Sequence, residues 1–115
     1  MEQELLPLTE AVFYILLSLS SGRKHGYAIL KDISTLSGGI LQLSTSTLYG
    51  ALGRMQDQGL IVRVENGSDE AGGPGLPRKA YELTDLGRRI LEAELVRLRR
   101  QVQAAQRLLD QDWQP

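Results

Sequence analysis

Toward its C-terminus the chain places an apolar residue at intervals of four, three, four, three and four: Leu91, Leu95, Leu98, Val102, Ala105 and Leu109. That rhythm holds one seam on one side of a continuous helix. The helix is read from Thr84, a capping residue, to about Asp112, with Asp85 in the first turn where the helix dipole favours an acid. Arg97, Arg99, Arg100 and Arg107 flank the seam. The chain has 115 residues, and what precedes Thr84 is too small a body to bury a helix of this length. A second copy of the chain is the economical cover, so the sequence predicts a homodimer.

The N-terminal helix leads to the same expectation. Thr9 to Leu19 reads as a helix capped by Thr9 and closed by Gly22, apolar nearly all round. Such a helix must be covered on two sides. The partner's Leu91, Leu95, Leu98 and Val102 are expected to cover Phe13, Leu16 and Leu17, with Tyr14 lining the same interface. A second helix runs from His25 to Leu36, with Tyr27, Ile29, Leu30 and Ile33 inward, and ends at Ser37-Gly38-Gly39. A third spans Ser44 to Gln58, capped by Ser44 and stopped by Gly59, with Leu48, Leu52 and Met55 as its buried stripe. Opposite that stripe lie Ser46, Gly50, Gly53 and Asp57. Each helical glycine costs about 1 kcal/mol against alanine, so close approach to another surface is expected there.

Residues 60–65 alternate, with Leu60, Val62 and Val64 on one face, and residues 79–83 alternate again with Tyr81 and Leu83 inward. Between them, residues 66–77 hold four glycines and two prolines. This is a two-stranded hairpin with a long tip. The fold class is therefore mainly α with a small β-hairpin (α+β). Three short helices, a hairpin and a long last helix are the order of a winged helix-turn-helix followed by a C-terminal dimerisation helix. The expected division is 1–83 for the winged helix-turn-helix DNA-binding domain and 84–115 for the dimerisation helix.

Composition closes off other classes. The chain has no cysteine and one histidine, His25, which excludes thiolate chemistry and Cys- or His-rich metal sites. No cluster of acid, base and nucleophile is present, so an enzyme is rejected and no cofactor is expected. Glu2 and Glu4 replace the basic start of a secretory signal, and the apolar run from Ala11 to Leu17 falls far short of the ~20 residues of a membrane span. A cytoplasmic protein without membrane contact is expected. The net charge of −1 argues against a generic basic nucleic-acid binder.

Four segments narrow the reading further: HGYAI at 25–29, STLYGAL at 46–52, DQGLI at 57–61 and PRKAYELTDLGRRIL at 77–91. In this order they resemble the PadR family of bacterial transcriptional regulators, in its short subgroup with a single C-terminal helix. The resemblance implies a homodimer that binds palindromic operator DNA and usually represses transcription. It implies a third helix in the major groove and wings on the backbone or minor groove. It also implies release by a small-molecule effector, often aromatic, or by a stress signal. Two departures stand out. Gly50 lies where the family often has proline, and the long wing tip carries Asp69 and Glu70, which would repel phosphate.

Within that frame, Ser44, Thr45, Ser46 and Thr47 crowd the start of the third helix, where free N–H groups and hydroxyls suit a phosphate. Simple capping would need only one of them. Gly50 and Gly53 leave a flat face, suited either to a groove or to packing on the second helix. Tyr49 lies at the edge of the buried stripe, where it is either core or a phosphate contact. Arg54 is the cation on the exposed side, for guanine or backbone. Arg78 and Lys79 read as phosphate anchors at the wing base. Lys24 and His25 precede the second helix, His25 equally suited to a local hydrogen bond. Trp113 is read as terminal packing. A different class, a winged-helix adaptor or anti-regulator working by protein–protein contact, is motivated by the acidic wing tip and weak net charge.

Overall fold

Three of the four helices begin on a hydroxyl. The computed structural model describes residues 2–66 and 78–109. In it, Thr9 accepts the Val12 N–H at 3.2 Å and opens α1 (Glu10–Leu19). Ser44 accepts the Thr47 N–H at 3.1 Å and opens α3 (Thr45–Asp57). Thr84 accepts the Gly87 N–H at 2.9 Å and opens α4 (Asp85–Leu108). Each bond satisfies a donor that the first helical turn leaves without an intrahelical partner. The second helix, α2 (Gly26–Leu36), follows His25, whose side chain makes no such cap. Gly59 ends α3 at φ +79°, the left-handed conformation expected of it.

The sheet has three strands rather than two. A two-residue β1 (Lys24–His25) pairs antiparallel with β3 (Arg78–Leu83), which pairs on its other side with β2 (Ile61–Asn66). Two residues are too few to show period-two alternation, so β1 leaves no signature in the sequence. The phase of β2 also differs from the alternation read above. Leu60 is buried, but it belongs to the turn after Gly59; within the strand Ile61 faces the core and Val62 is 45% exposed. Ile61 lies opposite Leu83, and Arg63 opposite the buried Tyr81.

The core joins Ile15, Leu16 and Leu19 of α1 to Ile29 and Ile33 of α2, to Leu48, Leu52 and Met55 of α3, and to Ile90 and Leu91 of α4. The inward stripe of α3 is as read from its spacing. In α2 it is not: Tyr27 is 68% exposed, with the Lys31 ammonium 5.6 Å from its ring centre. Helix α1 touches α2, α3, α4 and β3, so much of its second side is covered by its own chain. Leu16 is fully buried and Leu91 is 5% exposed, which leaves neither to a partner. Phe13, Tyr14 and Leu17 remain half-buried, and the Phe13 and Tyr14 rings meet edge-on with centres 5.3 Å apart.

Helix α4 belongs to the body only at its start. Gly87, Ile90, Leu91 and Glu94 are buried, and residues 99–109 are exposed throughout. The molecule is accordingly long, 59 × 32 × 22 Å. Among the described residues no helix is long and apolar enough to cross a membrane.

Two carboxylates are held ionised within this body. Glu94 accepts from the Arg97 guanidinium (Nη2 to Oε2, 2.9 Å) and from the Leu8 N–H at 3.0 Å. The Arg97 bonds lower its pKa most, burial opposes them, and the Leu8 N–H adds to the lowering. Burial pushes Asp32 upward, but hydrogen bonds from Lys24 and Ser18 outweigh it and leave its pKa below the ordinary value. Groups with depressed folded pKa values stabilise the protein above the unfolded carboxylate pKa, and that contribution is lost as pH falls through the folded value. Thermal melts should therefore hold steady from pH 7 to about 5 and fall once pH drops below about 4. A midpoint unchanged down to pH 3 would contradict this.

Candidate nucleic-acid interface

Among the described residues, nothing packs over the outer face of α3 at Gly50 and Gly53. Thr45, Ser46, Thr47, Gly50, Gly53 and Arg54 are exposed. A Cβ at Gly53 would meet no atom within 4 Å, and one at Gly50 would meet only the Arg54 guanidinium at 3.6 Å. The two glycines therefore do not serve packing on α2; they leave a flat, open surface. Of the four hydroxyls, Ser44 is the cap, and it also donates to Thr47 Oγ1 at 2.9 Å. Arg54 has no ion pair among the described residues and stands in the last turn, where the helix dipole favours a cation.

Tyr49 connects α3 to two other segments. Its ring centre lies 6.5 Å from that of Tyr81, and its hydroxyl end packs over Gly26. A side chain at residue 26 would run into that ring, with Cζ only 2.8 Å from the new Cβ. The HGY segment at the start of α2 thus keeps a glycine where the Tyr49 ring of α3 lies against it. Tyr49 is 43% exposed, so it packs on one side and meets solvent on the other. Burial first, and then the nearby Tyr49, raise the Tyr81 hydroxyl above its usual pKa, with Arg63 opposing.

The sheet brings the wing base to the same region. His25 Nδ1 lies 3.2 Å from the Lys79 carbonyl oxygen, a contact across the β1–β3 pairing with a residue far away in sequence. The Lys79 side chain is exposed and without an ion pair among the described residues. Arg78 forms part of β3 opposite Asn66, but its side chain lies outside the described residues. So do the expected acidic tip residues Asp69 and Glu70, and Trp113. Lys24 departs from expectation. It is half-buried and ion-paired with Asp32, which also accepts from Ser18 Oγ at 2.7 Å. It is occupied inside the chain rather than offered outward. Arg63 is the residue sequence reasoning missed: an exposed cation on β2. It lies opposite Tyr81 of β3, two residues from Ile61 along the strand.

The expected dimer residues divide in two. Leu95 and Val102 are about half exposed, Leu98 is partly exposed, and Ala105 and Leu109 lie open on the projecting end of α4. Val96 is half exposed on the same helix.

This geometry can be set against known proteins. A model of the PadR-like family of transcriptional regulators matches residues 15–93, from the middle of α1 to the buried part of α4. The chain belongs to the PadR-like family. That family is one of transcription regulators rather than enzymes. A PadR family transcription regulator from Clostridium difficile aligns with a TM-score of 0.74 at 26% identity, covering 89% of this chain and 100% of that one. Bacillus subtilis PadR, solved in complex with operator DNA, aligns with a TM-score of 0.64 at 28% identity, over 74% of this chain and 46% of that one. A 37.1 kDa transposon protein of Streptomyces fradiae is 33% identical over 85 residues, 74% of this chain and 22% of that protein. This PadR-like chain thus spans about a fifth of the Streptomyces protein and under half of the Bacillus one. The mainly helical fold with its small antiparallel sheet is that of the PadR-like winged-helix regulators.

Proposed function

We propose that this PadR-like protein is a homodimeric transcriptional repressor that binds a palindromic DNA operator through α3 and the wing base and is released by a small-molecule or stress signal. The observation that carries the reading is the outer face of α3. It is flat at Gly50 and Gly53, lined by hydroxyls at Thr45, Ser46 and Thr47, and carries Arg54, which has no ion pair among the described residues. A major groove about 12 Å wide accepts such a helix side-on. The hydroxyls and the helix N-terminus suit phosphate, Arg54 suits a guanine edge or phosphate, and Lys79 and Arg78 extend the contact along the backbone. The solved relative with operator DNA, Bacillus subtilis PadR, supports the assignment.

Charge is spread thinly: residues 84–115 hold six cations and five acids, and residues 44–83 hold four cations and five acids. Affinity should therefore be modest and fall steeply with salt. Fluorescence anisotropy on DNA from the gene's own upstream region, at low salt, tests the reading. Half-sites about one helical turn apart are expected. Arg54→Ala should weaken operator binding at least about tenfold while changing non-specific binding less than about threefold. Equal losses on both DNAs would make Arg54 a phosphate contact. A stable dimer that binds none of these fragments would transfer the molecule to the adaptor class.

A further inference from the structure

A carboxylate sits where α4 leaves the body. Glu94 is the last buried residue of that helix and only 2% exposed. Its neighbours along the inward stripe, Ile90 and Leu91, are apolar. A leucine at 94 would extend that stripe without the cost of burying a charge. Buried ion pairs seldom stabilise a fold more than apolar residues of the same size. Stability alone therefore gives a poor account of Glu94, and direction gives a better one. An apolar contact tolerates sliding and rotation, whereas the bond from the Leu8 N–H at 3.0 Å is directional, and Arg97, one turn further along α4 itself, holds the carboxylate in place for it at 2.9 Å.

Leu8 immediately precedes the Thr9 cap of α1. Glu94 thus ties the start of α1 to α4 across 86 residues of sequence, at the point beyond which α4 projects. The segment from Leu95 to Leu108 is about 21 Å long at ~1.5 Å per residue. A rotation of about 10° at its base moves its far end by about 4 Å, close to the ~3.4 Å step of one base pair.

We infer that Glu94 is a positioning residue that sets the angle between the DNA-binding body and the dimer helix, and through it the half-site spacing the dimer accepts. This rests on the proposed operator-binding dimer. The test uses full-length protein and a set of two-fold DNA sites whose half-sites differ in separation by single base pairs. Wild-type protein should prefer one separation by about tenfold over its neighbours. Glu94→Leu removes the Leu8 bond and both Arg97 bonds and keeps the volume. It should stay folded by circular dichroism and dimeric by light scattering, but its preference should fall to about threefold or shift by one base pair, with unchanged binding to an isolated half-site. Glu94→Gln, which still accepts the Leu8 N–H, should keep the wild-type optimum. Should Glu94→Leu fail to fold, Glu94→Met fills the same space with a more adaptable chain. A folded, dimeric variant with the wild-type optimum and discrimination overturns the inference. Wild-type protein that binds DNA with no spacing preference overturns it as well. Wild-type protein that binds no operator at any spacing overturns the regulator reading together with it.

Discussion

Gly87→Ala is expected to destabilise the protein by about 3 kcal/mol, although helix propensity alone forecasts a gain of about 1 kcal/mol. The reversal comes from one contact. A Cβ at residue 87 would land on the carbonyl oxygen of Leu60, 3.1 Å from its carbon and 3.0 Å from Leu83 Cδ1. The obstacle is backbone, so no rotamer change relieves it. That oxygen is also already in use, accepting the Thr84 N–H at 3.1 Å and the Thr84 hydroxyl at 3.0 Å. Moving α4 away would strain its own N-terminal cap and lift Ile90 and Leu91 from the core. Against a total stability of ~5–15 kcal/mol, a loss of this size should lower the melting midpoint by about 10 °C or more. Gly53→Ala is the matched control: the space there is open, so the same substitution should stabilise by about 0.5–1 kcal/mol. Chemical denaturation of both variants at equal protein concentration decides the point. A Gly87→Ala protein as stable as wild type would show that the α4 docking is looser than described.

Gly87 also marks the limit of sequence reading. The motif around it was legible as a helix start, because a cap three residues before an N–H is a local arrangement. The same holds for Thr9 and Ser44, for the stop at Gly59, and for the inward stripe of Leu48, Leu52 and Met55, which α3 keeps in one phase over about two turns. What was not legible depends on partners far away in sequence. The closeness of Leu60 to Gly87, of Tyr49 to Gly26 and of Leu8 to Glu94 has no local signature. Lys24 looked like a free cation beside a helix start until the fold set Asp32 against it. Short elements fail for another reason. β1 is too brief to alternate, and one turn residue, Leu60, was counted as the first of β2, which put Ile61 and Val62 on the wrong faces. At the candidate interface, residue types and their helix were legible, but the openness over Gly50 and Gly53 and the occupation of Lys24 were not.

Val102→Glu should convert the proposed dimer to a monomer and cut affinity for the proposed operator by about a hundredfold or more. Val102 lies on the projecting part of α4 and is 50% exposed, well beyond the last buried residue, Glu94. A charge there has water available in the single chain, so the fold of residues 2–66 and the sheet should be untouched. In a dimer the same carboxylate would enter the seam formed with Leu95 and Leu98 and lose its hydration without a designated partner. Arg99, three residues earlier on the same helix, can reach a carboxylate at 102, but an exposed pair of this kind is worth only about 0.2–0.5 kcal/mol, too little to offset burying the charge in the seam. The loss in DNA binding follows from linkage rather than contact. Two tethered bodies bind two half-sites with an effective concentration that a free second body cannot match at micromolar protein. Light scattering should read twice 12.7 kDa for wild type and once 12.7 kDa for the variant. Far-ultraviolet circular dichroism should remain that of a folded protein, and binding to a single half-site should change little. Leu16→Ala offers the contrast that separates seam from core. Its side chain is already fully buried by its own chain, so that variant should lose about 2–5 kcal/mol of fold stability, whatever the partner does.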